Sequence, residues 1–123
     1  TEAYAKVRRV FDVNSIAQAA AIAALKEDDY IEEIRDKTLL EKEKVTRALI
    51  NMGAKVRETV TNFILIKVDD ERKMYEALLR EGIIVRPASD LGLDGYLRVS
   101  IGLPEENEQF VGIFRKLMMR LDN

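Results

Sequence analysis

Asn62-Phe63-Ile64-Leu65-Ile66-Lys67-Val68-Asp69-Asp70 is the stretch at which the chain stops reading as helix and begins to read as sheet. Residues 62–68 are nearly continuous in apolar character, with branched and aromatic side chains, and predict a strand. The aspartates that follow suit the N-cap of a helix of about a dozen residues, which sets Met74, Ala77 and Leu78 on one face. Gly82 closes that helix. Ile83-Ile84-Val85-Arg86 predicts a short strand stopped by Pro87. Residues 88–95, with two glycines and two aspartates, read as a loop. Tyr96-Leu97-Arg98-Val99-Ser100-Ile101 alternates cleanly, as a half-buried strand does.

Outward from this centre the pattern is helical. Pro104 sits in a first turn with Glu105 and Glu106. Phe110, Ile113, Phe114, Leu117 and Leu121 form an apolar stripe, and Arg115, Lys116 and Arg120 lie near the end, where the helix dipole favours cations. On the other side, residues 54–59 predict a short edge strand. Before it, Asp28 or Asp29 caps a long helix from about Tyr30 towards Met52, ended by Gly53. Ile31, Ile34, Val45, Leu49 and Met52 make its broken stripe, and Glu41-Lys42-Glu43-Lys44 reads as a solvated face. Ser15-Ile16-Ala17-Gln18 has the form of a capping box with Ser15 as the cap. The alanine-rich run behind it is apolar on nearly every side, so it is expected to be buried against something larger than this chain offers.

The order helix, helix, strand, strand, helix, strand, strand, helix predicts an α+β fold, a small, mostly antiparallel sheet with helices packed on one face. The only boundary visible in the composition is at residues 26–29. A chain of 123 residues suits one ordinary domain, and 47% hydrophobic with 34% charged residues is a globular composition. There is no cysteine and no histidine. That excludes disulfides, thiolate nucleophiles, thiolate zinc sites and the usual triads within the chain, so no catalytic residue and no metal ligand is assigned. A net charge of −2 argues against a nucleic-acid partner. No apolar run approaches a membrane span, and the first residues lack a signal-peptide core, so a cytoplasmic protein is expected.

Two arginines stand out, because each sits in a strand otherwise made of apolar residues. Alternation puts Leu97, Val99 and Ile101 on one face and Tyr96, Arg98 and Ser100 on the other. If the first face meets the helices, Arg98 points out of the sheet. Its planar fork suits a carboxylate or phosphate, and such a contact orients a ligand as well as binding it. The plainer reading is an arginine paired with a neighbouring acid or lying in solvent.

Five segments follow one another in order: Val13-Asn14-Ser15-Ile16-Ala17-Gln18-Ala19-Ala20, Thr61-Asn62-Phe63-Ile64-Leu65, Gly82-Ile83-Ile84-Val85-Arg86-Pro87, Gly95-Tyr96-Leu97-Arg98-Val99-Ser100-Ile101-Gly102 and Pro104-Glu105-Glu106-Asn107. Together they resemble the C-terminal part of the histidinol-phosphate aminotransferases, which are pyridoxal-phosphate enzymes of fold type I. The resemblance runs along essentially the whole chain. It implies that Arg98 binds the substrate anion, that Arg86 lines the same site, and that Asn14 lies near a domain junction as a further substrate-binding candidate. Asn62 and Tyr96 have ordinary structural readings.

By the same resemblance, residues 1–28 link to a larger cofactor domain and residues 29–123 form the C-terminal small domain. The intact enzyme, expected as a homodimer, would pass an amino group between histidinol phosphate and 2-oxoglutarate in histidine biosynthesis. The lysine that carries the cofactor in such enzymes lies in a Ser-x-Ser-Lys segment, and Lys6, Lys26 and Lys55 have no such setting. The chain alone is therefore expected to be inactive and to bind no pyridoxal phosphate. Two other readings stay open: a threonine-phosphate decarboxylase on the same scaffold, and a free-standing ligand-binding module without catalysis.

Overall fold

The computed structural model describes residues 13–121. Its elements run α1 (Ser15–Ala24), α2 (Asp28–Asn51), β1 (Lys55–Arg57), β2 (Phe63–Lys67), α3 (Glu71–Arg80), β3 (Arg86–Pro87), a single 3-10 turn (Ser89–Leu91), β4 (Tyr96–Ser100) and α4 (Pro104–Leu121). The expected order of helices and strands is the observed one. Two compact units divide inside α2, after Ile34.

In the first unit α1 is capped one residue earlier than the capping-box reading placed it. Asn14 is the N-cap, its Oδ1 accepting from the Ala17 amide at 2.9 Å, and Ser15 is the first helical residue. Gln18 reaches back to the Val13 carbonyl at 2.8 Å rather than to a cap amide. Asparagine and serine cap about equally well, so the register follows from which of them is already extended, and Asn14 is. No residue of α1 is buried.

The second unit is a four-stranded antiparallel sheet in the order β1-β2-β4-β3. Alternation along the strands sends Ile64, Ile66, Leu97 and Val99 to one face, where they meet Val45 and Leu49 of α2, Met74 and Leu78 of α3, and Phe110, Phe114 and Leu117 of α4. The Phe110 and Phe114 rings lie 5.6 Å apart at a tilt of 43°. Burial of these side chains, each contributing about 1.5–3 kcal/mol, holds the helices to that face. No helix among the described residues is long and apolar enough to cross a membrane.

Two expectations need correction. Ile83, Ile84 and Val85 do not pair; the strand begins at Arg86 and includes Pro87. The Ala88 amide donates to the Tyr96 carbonyl at 2.9 Å, so the Pro87 nitrogen, one residue earlier, faces the open edge of the sheet, where its missing N–H costs no ladder bond. The charged run at 41–44 is not uniformly solvated either. Lys42 is buried, and its ammonium donates to the Thr59 carbonyl and, at 3.0 Å, to the Thr61 carbonyl. The β1–β2 connection turns these carbonyls away from the ladder, and a long lysine stem brings them a donor.

Polar pins then hold the loops that flank the sheet. Asn107, also buried, accepts from the Gly102 amide at 3.0 Å and donates to the Gly102 carbonyl at 3.0 Å and to the Glu41 carboxylate at 3.1 Å. Asp70 caps α3 through the Lys73 amide at 2.9 Å. Glu71 accepts from the Ser89 amide at 3.1 Å, the Ser89 hydroxyl at 3.0 Å and the Gly95 amide at 2.9 Å. Gly95 has φ 74°, a left-handed conformation in which a side chain would be strained. Glu71 thus ties both ends of the β3–β4 connection to the start of α3.

Burial raises the Glu71 pKa, but the hydrogen bonds from Ser89 and Gly95 outweigh it and hold the group below the ordinary carboxylate value. Its stabilisation is therefore complete above the unfolded-state pKa and is lost as pH falls through the lower, folded-state one. Glu71→Ala is expected to cost about 1–3 kcal/mol in urea denaturation at neutral pH, and the difference from wild type should narrow under acid. An unchanged midpoint would show that the loop holds itself.

Candidate anion site on the open sheet face

The cross-strand register decides what the face opposite the helices carries. Arg57 stands opposite Leu65, Leu65 opposite Arg98, and Arg98 opposite Arg86. One row across all four strands therefore reads Arg57, Leu65, Arg98, Arg86. The next row holds Lys55, Lys67 and Tyr96, and the one on the other side Phe63 and Ser100. This face has five cationic strand residues and no carboxylate.

Arg98 is half-buried and Arg86 is exposed. The Arg98 guanidinium lies over the Phe63 ring, 5.1 Å from its centroid. That contact orients a cation without neutralising it. Its Nε is buried and has no hydrogen-bond partner among the described residues. None of the described residues forms an ion pair with Arg57, Arg86 or Arg98. Of the plainer reading of Arg98, paired with an acid or lying in solvent, the acid partner is absent among the described residues. Lys67 is differently placed: its ammonium donates to the Asp94 carbonyl at 3.0 Å and lies 4.8 Å from the Tyr96 centroid.

Beside the row, where β3 ends and β4 runs on, a hollow of about 460 Å³ opens between Arg86, Arg98, Ser100, Asn107 and Gln109. That is the size of a small-molecule site. Its walls are firm because Asn107 and Glu106 fix the turn out of β4. Glu106 accepts from the Leu103 amide at 2.9 Å, and Ile101 donates to the Asn62 carbonyl at 2.9 Å. The hollow is also lined by the Glu106 carboxylate, which accepts from the Leu103 amide, so what suits an anionic ligand is the arginine end, an orphaned guanidinium N–H with a second arginine opposite it.

The structure thus brings Arg98 and Arg86 together, as Cα partners on adjacent strands. Asn14 belongs to the other unit, and its carboxamide oxygen is engaged in capping α1. Asn62 serves through its backbone carbonyl, and Tyr96 through its ring. Sequence reasoning missed Arg57. The signal was the alternation Lys55-Val56-Arg57, but a three-residue strand shows its outward face only once its pairing is known.

Cations directly opposite each other on a sheet repel. Arg86→Thr should therefore raise stability by about 0.2–1 kcal/mol at low ionic strength, with the gain shrinking as salt rises. Differential denaturation at two salt concentrations checks this, and a loss of stability would mean that Arg86 makes a compensating contact.

The aminotransferase class I and II family model matches residues 1–114. Histidinol-phosphate aminotransferase 2 of Pseudomonas aeruginosa is 43% identical over 117 residues, which are 92% of this chain and 31% of that protein. The crystal structure of the histidinol-phosphate aminotransferase from Clostridium acetobutylicum matches with a TM-score of 0.74 at 26% identity, over 94% of this chain and 36% of that one. The enzyme of that name from Sinorhizobium meliloti, in complex with pyridoxal-5'-phosphate, gives a TM-score of 0.77 over 98% of this chain and 34% of that one. At 24% identity that last likeness is one of fold. This chain spans 31% of the length of the curated relatives from Methylobacillus flagellatus and Pseudomonas aeruginosa.

Proposed function

Because this chain belongs to the class I and II aminotransferases, we propose that it is the substrate-anchoring C-terminal portion of a histidinol-phosphate-type aminotransferase. The observation that carries the reading is Arg98. It is a half-buried guanidinium with an unpartnered Nε–H, facing Arg86 across a strand pair on a face without carboxylates. In the intact enzyme, an amino group would pass between histidinol phosphate and 2-oxoglutarate.

Arg98 takes the acid group of the substrate, phosphate or carboxylate, in a forked pair of hydrogen bonds. The Phe63 ring keeps its guanidinium plane in place, so the anion arrives in one orientation. Arg86, nearer the surface, supplies a second positive charge and draws the anion towards the hollow. Pyridoxal phosphate, when bound in such an enzyme, supplies the electron sink for the bond chemistry. The donors described here suit a substrate acid group rather than the cofactor. The orphaned one is an arginine N–H, and the Lys67 ammonium is already bonded to the Asp94 carbonyl. We assign none of these residues to holding the cofactor, and the chain alone is proposed to be inactive. The exposed apolar side chains of α1, Ile16, Ile22 and Leu25, are proposed to pack against the cofactor-bearing portion.

Arg98→Ala in the full-length enzyme is expected to lower kcat/KM by at least about tenfold, since losing a charge-assisted pair costs about 1.5 kcal/mol or more. A smaller loss would remove the anchor role. The same assay run on both histidinol phosphate and threonine phosphate names the substrate. Decarboxylation of threonine phosphate, without turnover of histidinol phosphate, would move the chain to the decarboxylase reading.

A further inference from the structure

We propose that the Asp94–Gly95 step is a site of aspartate isomerisation that Glu71 holds shut. It is the only Asp-Gly step in the chain, and no Asn-Gly step occurs. In such a step the glycine nitrogen can attack the aspartate side chain, because no Cβ on the following residue obstructs the approach. The Gly95 nitrogen forms a bond to Asp94 Cγ, and a carboxyl oxygen leaves with two protons as water. The cyclic imide then takes up water. Opening at the main-chain carbonyl gives isoaspartate, and opening at the side-chain carbonyl restores aspartate. The net change is a rearrangement that needs water alone.

Asp94 is exposed, in the loop ahead of β4. The peptide unit that joins it to Gly95 is held at both ends. Its carbonyl accepts from the Lys67 ammonium at 3.0 Å, and its N–H donates to Glu71 Oε2 at 2.9 Å. A cation on β2 and an anion on α3 thus grip one amide group. The electron pair that attacks is the one bared when the Gly95 nitrogen loses its proton, and it points along the former N–H bond. Glu71 Oε2 occupies that direction, so Asp94 Cγ is kept out of it. The carboxylate also opposes loss of the proton, since a second negative charge would develop beside it. Lys67 acts the other way, by stabilising negative charge on the carbonyl oxygen, so the protection rests on Glu71.

The modification would act on the sheet. An isoaspartate carries the main chain through its Cβ and so lengthens it just ahead of β4. The Gly95 carbonyl accepts from the Val68 amide at 2.9 Å, and Tyr96 stands opposite Lys67. The longer link would pull this end of the β2–β4 pairing out of place.

The test incubates the full-length enzyme at neutral pH and follows the proteolytic peptide that spans Asp94 and Gly95. Isoaspartate gives a peptide of unchanged mass, shifted in chromatography and resistant to a protease that cuts before aspartate. Wild type should form it at least about tenfold more slowly than a synthetic peptide of residues 88–98, in which nothing holds the amide. Glu71→Ala should raise the wild-type rate about tenfold or more, as expected when a charge-assisted hydrogen bond no longer limits opening. Asp94→Glu, whose longer side chain closes the ring far more slowly, sets the background. Ser89→Ala removes a different bond to Glu71 and leaves its grip on Gly95, so its rate should stay near wild type. Circular dichroism checks that each variant is folded. If Glu71→Ala is not, Glu71→Gln, which keeps the size and gives up the charge, should still exceed wild type. A folded Glu71 variant that isomerises no faster than wild type overturns the inference. So does wild type reacting as fast as the free peptide, or an equal rise in Ser89→Ala, which would assign the effect to loop mobility alone.

Discussion

The five-residue antiparallel pairing of β2 with β4 is the constraint on which the rest depends. It sets Ile64 against Val99 and Ile66 against Leu97 on one face, and Leu65 against Arg98 on the other. Side chains alternate along a strand, so a slip by one residue would bury Arg98 among the helices and expose Leu97. The helices enforce the register, because only one setting gives them a wholly apolar surface. The same choice points the arginines away from the core.

Around this centre the fold uses buried polar contacts where the backbone leaves the ladder. Lys42 answers the carbonyls of the β1–β2 connection, Asn107 both backbone groups of Gly102, and Glu71 the loop between β3 and β4. Each is a side chain on a helix serving a loop beside the sheet. These contacts hold the loops beside the open face, as the anchoring role proposed for Arg98 requires, since a guanidinium that wanders cannot orient what it holds. The cost is borne on the open face, where Arg86 and Arg98 stand opposite each other without a counter-ion among the described residues.

Much of this was legible in the chain. The strand at 62–68, the alternation at 96–101, the aspartate cap of α3 and the apolar stripe of α4 all follow from local periodicity, which one face of an element carries in full. Arg98 was legible for the same reason: its neighbours Leu97 and Val99 define the inward face. The cap of α1 was off by one residue because two good capping side chains stand next to each other. Strand β3 was read from its apolar run, yet Ile83, Ile84 and Val85 make no ladder, and the pairing falls on Arg86 and Pro87 instead. The run at 41–44 looked solvated because charge predicts exposure, and nothing local shows that two carbonyls elsewhere require a donor.

By itself the sequence determined the class of fold, the order of its elements and which faces are apolar, because these depend on periods of two and about 3.6 residues within one element. Tertiary structure decided which side chains meet. The opposition of Arg86 to Arg98, the row that takes in Arg57 and Leu65, and the burial of Lys42 and Asn107 are relations between segments far apart in the chain. They exist only once strand order and register are chosen, and that choice is made by packing a sheet against three helices at once. No single stretch contains that information.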